Sequence, residues 1–197
     1  MEKLDFDKLS DLARAAFGSA CCERLLPNYE AFTILEHTGD FELLRNTLDS
    51  FWAAVESGTM LDESAEREIA ALGPDTDDHQ TLFASLAGDS VAAILYTIGA
   101  ARPGGASTLE LLQQAIDNSI YQFLASVNDP TPGGHIEMPN FAEWVESHPI
   151  WAYEAALQRQ DYALLLEQPS VPVKVIQQLR EKSAQVGIQP RLRGLVT

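Results

Sequence analysis

Positive charge is scarce in this chain. Thirteen Lys and Arg face 29 Asp and Glu, giving a net charge of −16. Phosphate contacts to DNA or RNA need clustered bases, and so does docking on an anionic membrane, so neither partner is expected. Cysteine is almost as rare. The only two, Cys21 and Cys22, are adjacent. Neighbours rarely bridge each other, so no disulfide framework is expected and a reducing cytoplasm suits the chain. There is no CxxC, no Cys/His zinc spacing, no HExxH, no GxSxG, no P-loop and no GxGxxG. The N-terminal MEKLDFDKL is acidic and lacks an apolar signal core. No metal and no cofactor are therefore expected.

Period-two alternation is missing too, so no sheet is expected, and no repeat marks a solenoid. What is present is helical periodicity. With 46% hydrophobic residues over 197, one core suffices, and the pattern predicts an all-α single domain spanning 1–197. It reads as a bundle of about seven or eight helices, with an irregular tail over 187–197.

Leu9, Leu12, Ala16 and Phe17 mark a first helix, which should end near Leu26 because Pro27 disfavours helical geometry before it. Pro27 can open a second helix reaching about His37. The chain reverses or kinks there on this reading, and Glu23 or Arg24 should contact the segment Pro27 to Glu30. Asp40 is an N-cap for the next helix and Gly58 its stop. A short acidic helix follows over about Asp62 to Leu72. Asp75, Asp77 and Asp78 then sit where a helix start favours negative charge. From Leu82 to Ala101 the only charge is Asp89, but polar and small residues interrupt the run. It reads as a central helix rather than a membrane span.

Ser107 with Glu110, and Asn140 with Glu143, look like capping boxes. Asp129 to Gly134 is a loop. Pro149 opens a helix to about Gln168, and Pro172 opens the last one, which Gly187 ends. From Lys174 onward five bases face one acid, Glu181, which predicts a basic segment docked on the acidic body or pointing into water.

Chemistry is harder to find. His37, His79, His135 and His148 fall in no ligand spacing, and surface or capping roles explain them. Asp75 to His79 could attract a hard cation, but capping explains the same residues. Cys21 and Cys22 lie near Arg24, yet cysteine is usually a small buried apolar residue, and at least one should be buried. Trp52, Trp144, Trp151 and Tyr162 read as core aromatics. Asp89, alone on its helix, is expected to be buried against Arg24, Arg45, Arg159 or a hydroxyl or amide donor; the alternative is a wetted carboxylate.

Several segments carry a resemblance. Residues 22–32, CERLLPNYEAF, resemble the CERxxPNYxxF segment of the YjaG-like family of uncharacterised bacterial proteins. Leu48-Asp49-Ser50-Phe51-Trp52 is similar to its LDxxW, and His148-Pro149 with Glu154 and Gln158 to an Asn-Pro followed by Glu and Gln. The likeness implies an all-α bacterial cytoplasmic protein and no particular activity or catalytic residue.

Three readings of function follow. The first is a non-enzymatic helical protein working through protein contacts, including a homo-oligomer. The second is an enzyme or small-ligand binder with an inter-helix pocket built from Arg24, Asn28, Asp49, Asp89, Glu154 and Gln158. The third, resting on charge alone, is a nucleic-acid mimic.

Overall fold

The structure, a computed structural model, describes residues 4–59, 66–79, 81–128, 140–166 and 170–185. Among these there are eight α-helices and no strand. They are α1 (Asp11–Glu36), α2 (Phe41–Ser57), α3 (Glu66–Ala70), α4 (Leu82–Ala100), α5 (Ala106–Asn128), α6 (Phe141–Ser147), α7 (Pro149–Leu166) and α8 (Val173–Gln185), preceded by a 3-10 turn over Phe6–Lys8. The loop expected at Asp129 to Gly134, His135, and the tail from Gly187 lie outside the described residues.

The expected break at Leu26 does not occur. α1 runs unbroken from Asp11 to Glu36 with Pro27 inside it. An interior proline removes a backbone donor and crowds the carbonyl four residues back, at a cost of about 3 kcal/mol. Burial offsets that cost. On both sides of Pro27 the helix is enclosed, through Leu25, Leu26, Asn28 and Tyr29, and Ser90 Oγ of α4 donates to the Leu25 carbonyl at 2.9 Å. Glu23 and Arg24 consequently turn to other helices instead of to Pro27–Glu30.

α1 is the axis of the bundle, packing most extensively on α4 and then on α2, α8 and α7. Arg14 reaches the carbonyl of Ala100, while Leu25 lies beside Ser90, so α1 and α4 are antiparallel. They approach closely where Gly18 faces Thr97: a Cβ on Gly18 would fall 2.5 Å from Thr97 Oγ1. α4 is long and apolar enough to cross a membrane, and half of it is buried inside the bundle. The short turn after Ala101 sends α5 back parallel to α1.

Capping follows the sequence unevenly. Asp40 caps α2 by accepting from Leu43 N at 2.9 Å, and Gly58 closes it in the left-handed conformation, φ 68°. The acids at 75–78 cap nothing. Asp75 Oδ1 instead accepts from Asp77 N within a turn, and Thr81 caps α4. Ser107 lies inside α5, whose first turn is set by Thr108 bonding back to the Gly105 carbonyl. Asn140 precedes α6 with φ 65°, and its side chain makes no cap bond. The left-handed backbone turns the amide away from the helix start.

Candidate functional site

The largest buried polar constellation centres on Arg24. α1 places this side chain among α7 and α8, with 1% of its surface exposed. Its Nε donates to both Glu154 oxygens at 3.1 and 3.0 Å, and Nη2 donates to Glu154 Oε1 at 2.9 Å. Nη1 donates to Asp161 Oδ2 at 2.9 Å and to Ser183 Oγ at 3.2 Å. The remaining direction of Nη2 meets Cys21 Sγ at 3.3 Å. Gln158 Nε2 donates to Glu154 Oε1 at 3.0 Å, and Gln113 of α5 donates to Gln158 at 2.9 Å. At the rim Lys182 donates to Asp161 Oδ1 at 3.1 Å.

Stripping water from such ions costs several kcal/mol each, so the cluster persists only because its charges and donors match. Two cations, Arg24 and Lys182, answer two carboxylates, Glu154 and Asp161. Burial works against the guanidinium charge, but Glu154, Cys21 and Asp161 outweigh it and hold Arg24 above its ordinary pKa. The planar fork, with donors in fixed directions, is what lysine could not reproduce.

Both cysteines are free and buried. Burial pushes the Cys21 thiol well up, and the nearby guanidinium does not reverse it. Cys22 rises to about 12, again chiefly through burial, with its sulfur 3.3 Å from Thr97 Oγ1. Neither thiol is the ready thiolate that nucleophilic or redox chemistry uses.

A second network begins one residue earlier. Glu23 points toward α2, where Arg45 donates to both its oxygens at 2.8 Å and Trp52 Nε1 donates to Oε1 at 2.8 Å. Arg45 also donates to Asp49 at 2.7 Å, and Arg180 of α8 pairs with the same Asp49 oxygen. With Lys182, this seats part of the basic C-terminal segment on the acidic body.

The six residues singled out above thus divide. Arg24, Glu154 and Gln158 converge. Asp49 belongs to the neighbouring network at the surface. Asn28 lies one turn beyond Arg24 on the same face of α1, 1% exposed, and its Nδ2 is buried without a partner. Asp89 is separate: it is half-buried, accepts from Ser119 Oγ of α5 at 2.7 Å, and burial pushes it up to about 6. The donor is a hydroxyl, since Arg24 and Arg45 are committed elsewhere. Asp161, Ser183 and Gln113 were not singled out, and Glu23 only as an expected contact of Pro27 to Glu30. Glu154, Gln158 and Asp161 stand at i, i+4 and i+7, a polar stripe on one face of α7 that the sequence does display.

The histidines take local roles. His148 Nδ1 accepts from Ile150 N at 3.2 Å at the start of α7, and His79 lies 3.3 Å from Glu36. Among the described residues no three His, Cys, Asp or Glu are placed to hold a metal ion. A cavity of about 480 Å³ opens elsewhere, between the 3-10 turn and the start of α5, lined by Asp5, Phe6, Asp7, Gly104, Ser107 and Glu110 among others.

Comparison with known proteins adds the fold and little chemistry. The model of the DUF416 family, described as protein of unknown function, matches residues 3–189. No curated protein matches the chain. The crystal structure of a DUF416 family protein from Shewanella baltica is similar over 93% of this chain and 95% of that one. The TM-score is 0.78 at 18% sequence identity, so the likeness concerns the fold alone.

Proposed function

The chain belongs to the DUF416 family, and within that family we propose that it is a non-catalytic helical protein acting through protein contacts, self-association included. One observation carries this reading: its densest polar constellation is neutralised from within. Arg24, Glu154, Asp161 and Lys182 meet one another's charges, and such matching holds helices together rather than turning over a substrate. Large apolar side chains on the outside supply contact surface. Tyr121, Val127 and Tyr153 are 42%, 64% and 54% exposed.

The same reading places the protein in the bacterial cytoplasm, within the YjaG-like branch of the family. It works there without nucleic acid, membrane, metal or cofactor. The net charge of −16 and the free thiols support that setting. Size-exclusion chromatography with light scattering tests it. A concentration-dependent dimer or larger species across the micromolar range is expected, and a strict monomer that also retains no partner in a pull-down from its host at native expression would sink it.

A further inference from the structure

The outward side chains of α5 form a stripe. Ser107, Leu111, Gln114, Asn118 and Tyr121 are exposed, and Ala125 is half-buried. Their spacing alternates four residues and three, which keeps them in line along one side of a helix and is the spacing of a coiled-coil seam. None of the six is charged, whereas the exposed faces of α7 and α8 carry Arg159, Lys174 and Glu181. The two acids of α5, Glu110 and Asp117, stand to one side of the stripe and are half-buried. Leu111 and Tyr121 are 41% and 42% exposed. The Tyr121 ring already rests edge-on against Phe141 of α6 at 4.8 Å, so it has little freedom left to lose on contact.

The stripe is also palindromic. From either end it runs small, large apolar, amide: Ser107, Leu111 and Gln114 from the start, and Ala125, Tyr121 and Asn118 from the finish. Such a pattern is its own complement, which is what an interface across a two-fold axis demands. Charge narrows the occupant. A second copy brings the same net charge of −16 and can approach only where acids are missing. A basic partner would find no counter-charge on this stripe. Facing amides, in contrast, donate to and accept from one another.

We propose that α5 is the seam of a two-fold dimer, packed antiparallel on α5 of a second copy through these six residues. Leu111 meets Tyr121 of the second copy, Gln114 meets its Asn118, and Ser107 its Ala125, with the axis passing close to Ile116. The inference rests on the self-association reading above and gives it a surface and a register. The seam is about 27 Å long at 1.5 Å per residue. One helix pair of that length is a small interface, so association in the micromolar range is expected.

Sedimentation equilibrium on the full-length protein tests the seam. Leu111→Glu buries a carboxylate against the Tyr121 ring of the second copy and should raise the dimer Kd at least roughly tenfold. Ala53→Glu adds the same charge at an exposed position of α2 and should leave Kd unchanged. Both positions face water in the single chain, and circular dichroism verifies that both variants keep the fold. Single cysteines test the register. Gln114→Cys protein mixed with Asn118→Cys protein should form a disulfide-linked dimer under mild oxidation well ahead of either variant alone. The native thiols are buried and stay out of the reaction. A dimer whose Kd is unmoved by Leu111→Glu, or mixed cysteines that link no faster than each alone, would overturn the α5 seam and leave self-association to another face. A parent protein that stays monomeric would overturn it too, and the pull-down then decides the wider reading.

Discussion

Glu23 and Arg24 are neighbours in sequence and opposites in setting. Both are buried and each gathers an ion network, but a helix turns successive side chains by about 100°. Arg24 therefore faces α7 and α8 while Glu23 faces α2. Around Arg24 two carboxylates, a hydroxyl and a thiol are sealed from water. Around Glu23 the outer members reach the surface: Arg45 is 24% and Asp49 43% exposed. The lesson concerns dielectric more than geometry, for the carboxylates lie 2.9–3.1 Å from Arg24 and 2.7–2.8 Å from Arg45. Where water can replace a lost partner an ion pair is worth little, and where it cannot, removal of one member leaves a naked charge.

The sharpest way to break this comparison is Arg24→Met. It leaves Glu154 sealed without its cation and Asp161 dependent on Lys182 at the rim, and should cost about 3–5 kcal/mol in a urea melt. Glu23→Gln should cost less, about 1–3 kcal/mol. Glutamine still accepts from Trp52 but no longer balances Arg45, and Trp52 fluorescence reports the change. Asp89→Asn supplies the contrast of a carboxyl that never found a cation, and its effect should have the opposite sign. In the folded state Asp89 holds its proton up to about pH 6, against about 3.9 when unfolded. Its ionisation therefore destabilises the fold increasingly between about pH 4 and 6 and fully above. Asparagine keeps the Ser119 bond without that penalty, so the variant should gain about 1 kcal/mol at pH 7 and nothing below about pH 4. A melt series across that range decides it. Smallest of all, Asp49→Ala should cost under about 0.5 kcal/mol, a difference that 1 M salt removes.

Fold class was legible because helical periodicity survives without tertiary information. Cap chemistry was legible at Asp40 and failed at Asn140, because asparagine favours both N-caps and the left-handed region and its type alone does not choose between them. Pro27 misled for a general reason: a local rule about one proline is outweighed when many neighbouring side chains are enclosed by other helices. In the candidate site, Arg24, Glu154 and Gln158 stood out as polar residues in apolar surroundings. That Asp89 lies apart from them depends on which face of α4 meets α5. Periodicity could not reveal this, because α4 is apolar nearly all round. The orphaned Asn28 amide is invisible to sequence for the same reason. Satisfaction of a donor is a property of its neighbours.

The Arg24 contacts also have a temporal meaning. They join residues 130, 137 and 159 positions apart, so the guanidinium can meet its acceptors only after most of the chain has collapsed. Non-local closures of this kind slow folding. In chain order α1, α2 and α4 precede the counter-ions of Arg24, and α7 and α8 come last. The cluster can therefore close only when the whole chain is present. A chain truncated before α7 would present a hydrated arginine on the flank of an apolar helix, a form whose exposed surface invites chaperones and proteases. Pulse-labelling hydrogen exchange should accordingly find α1–α4 protected early and α7 and α8 protected together, in the final phase.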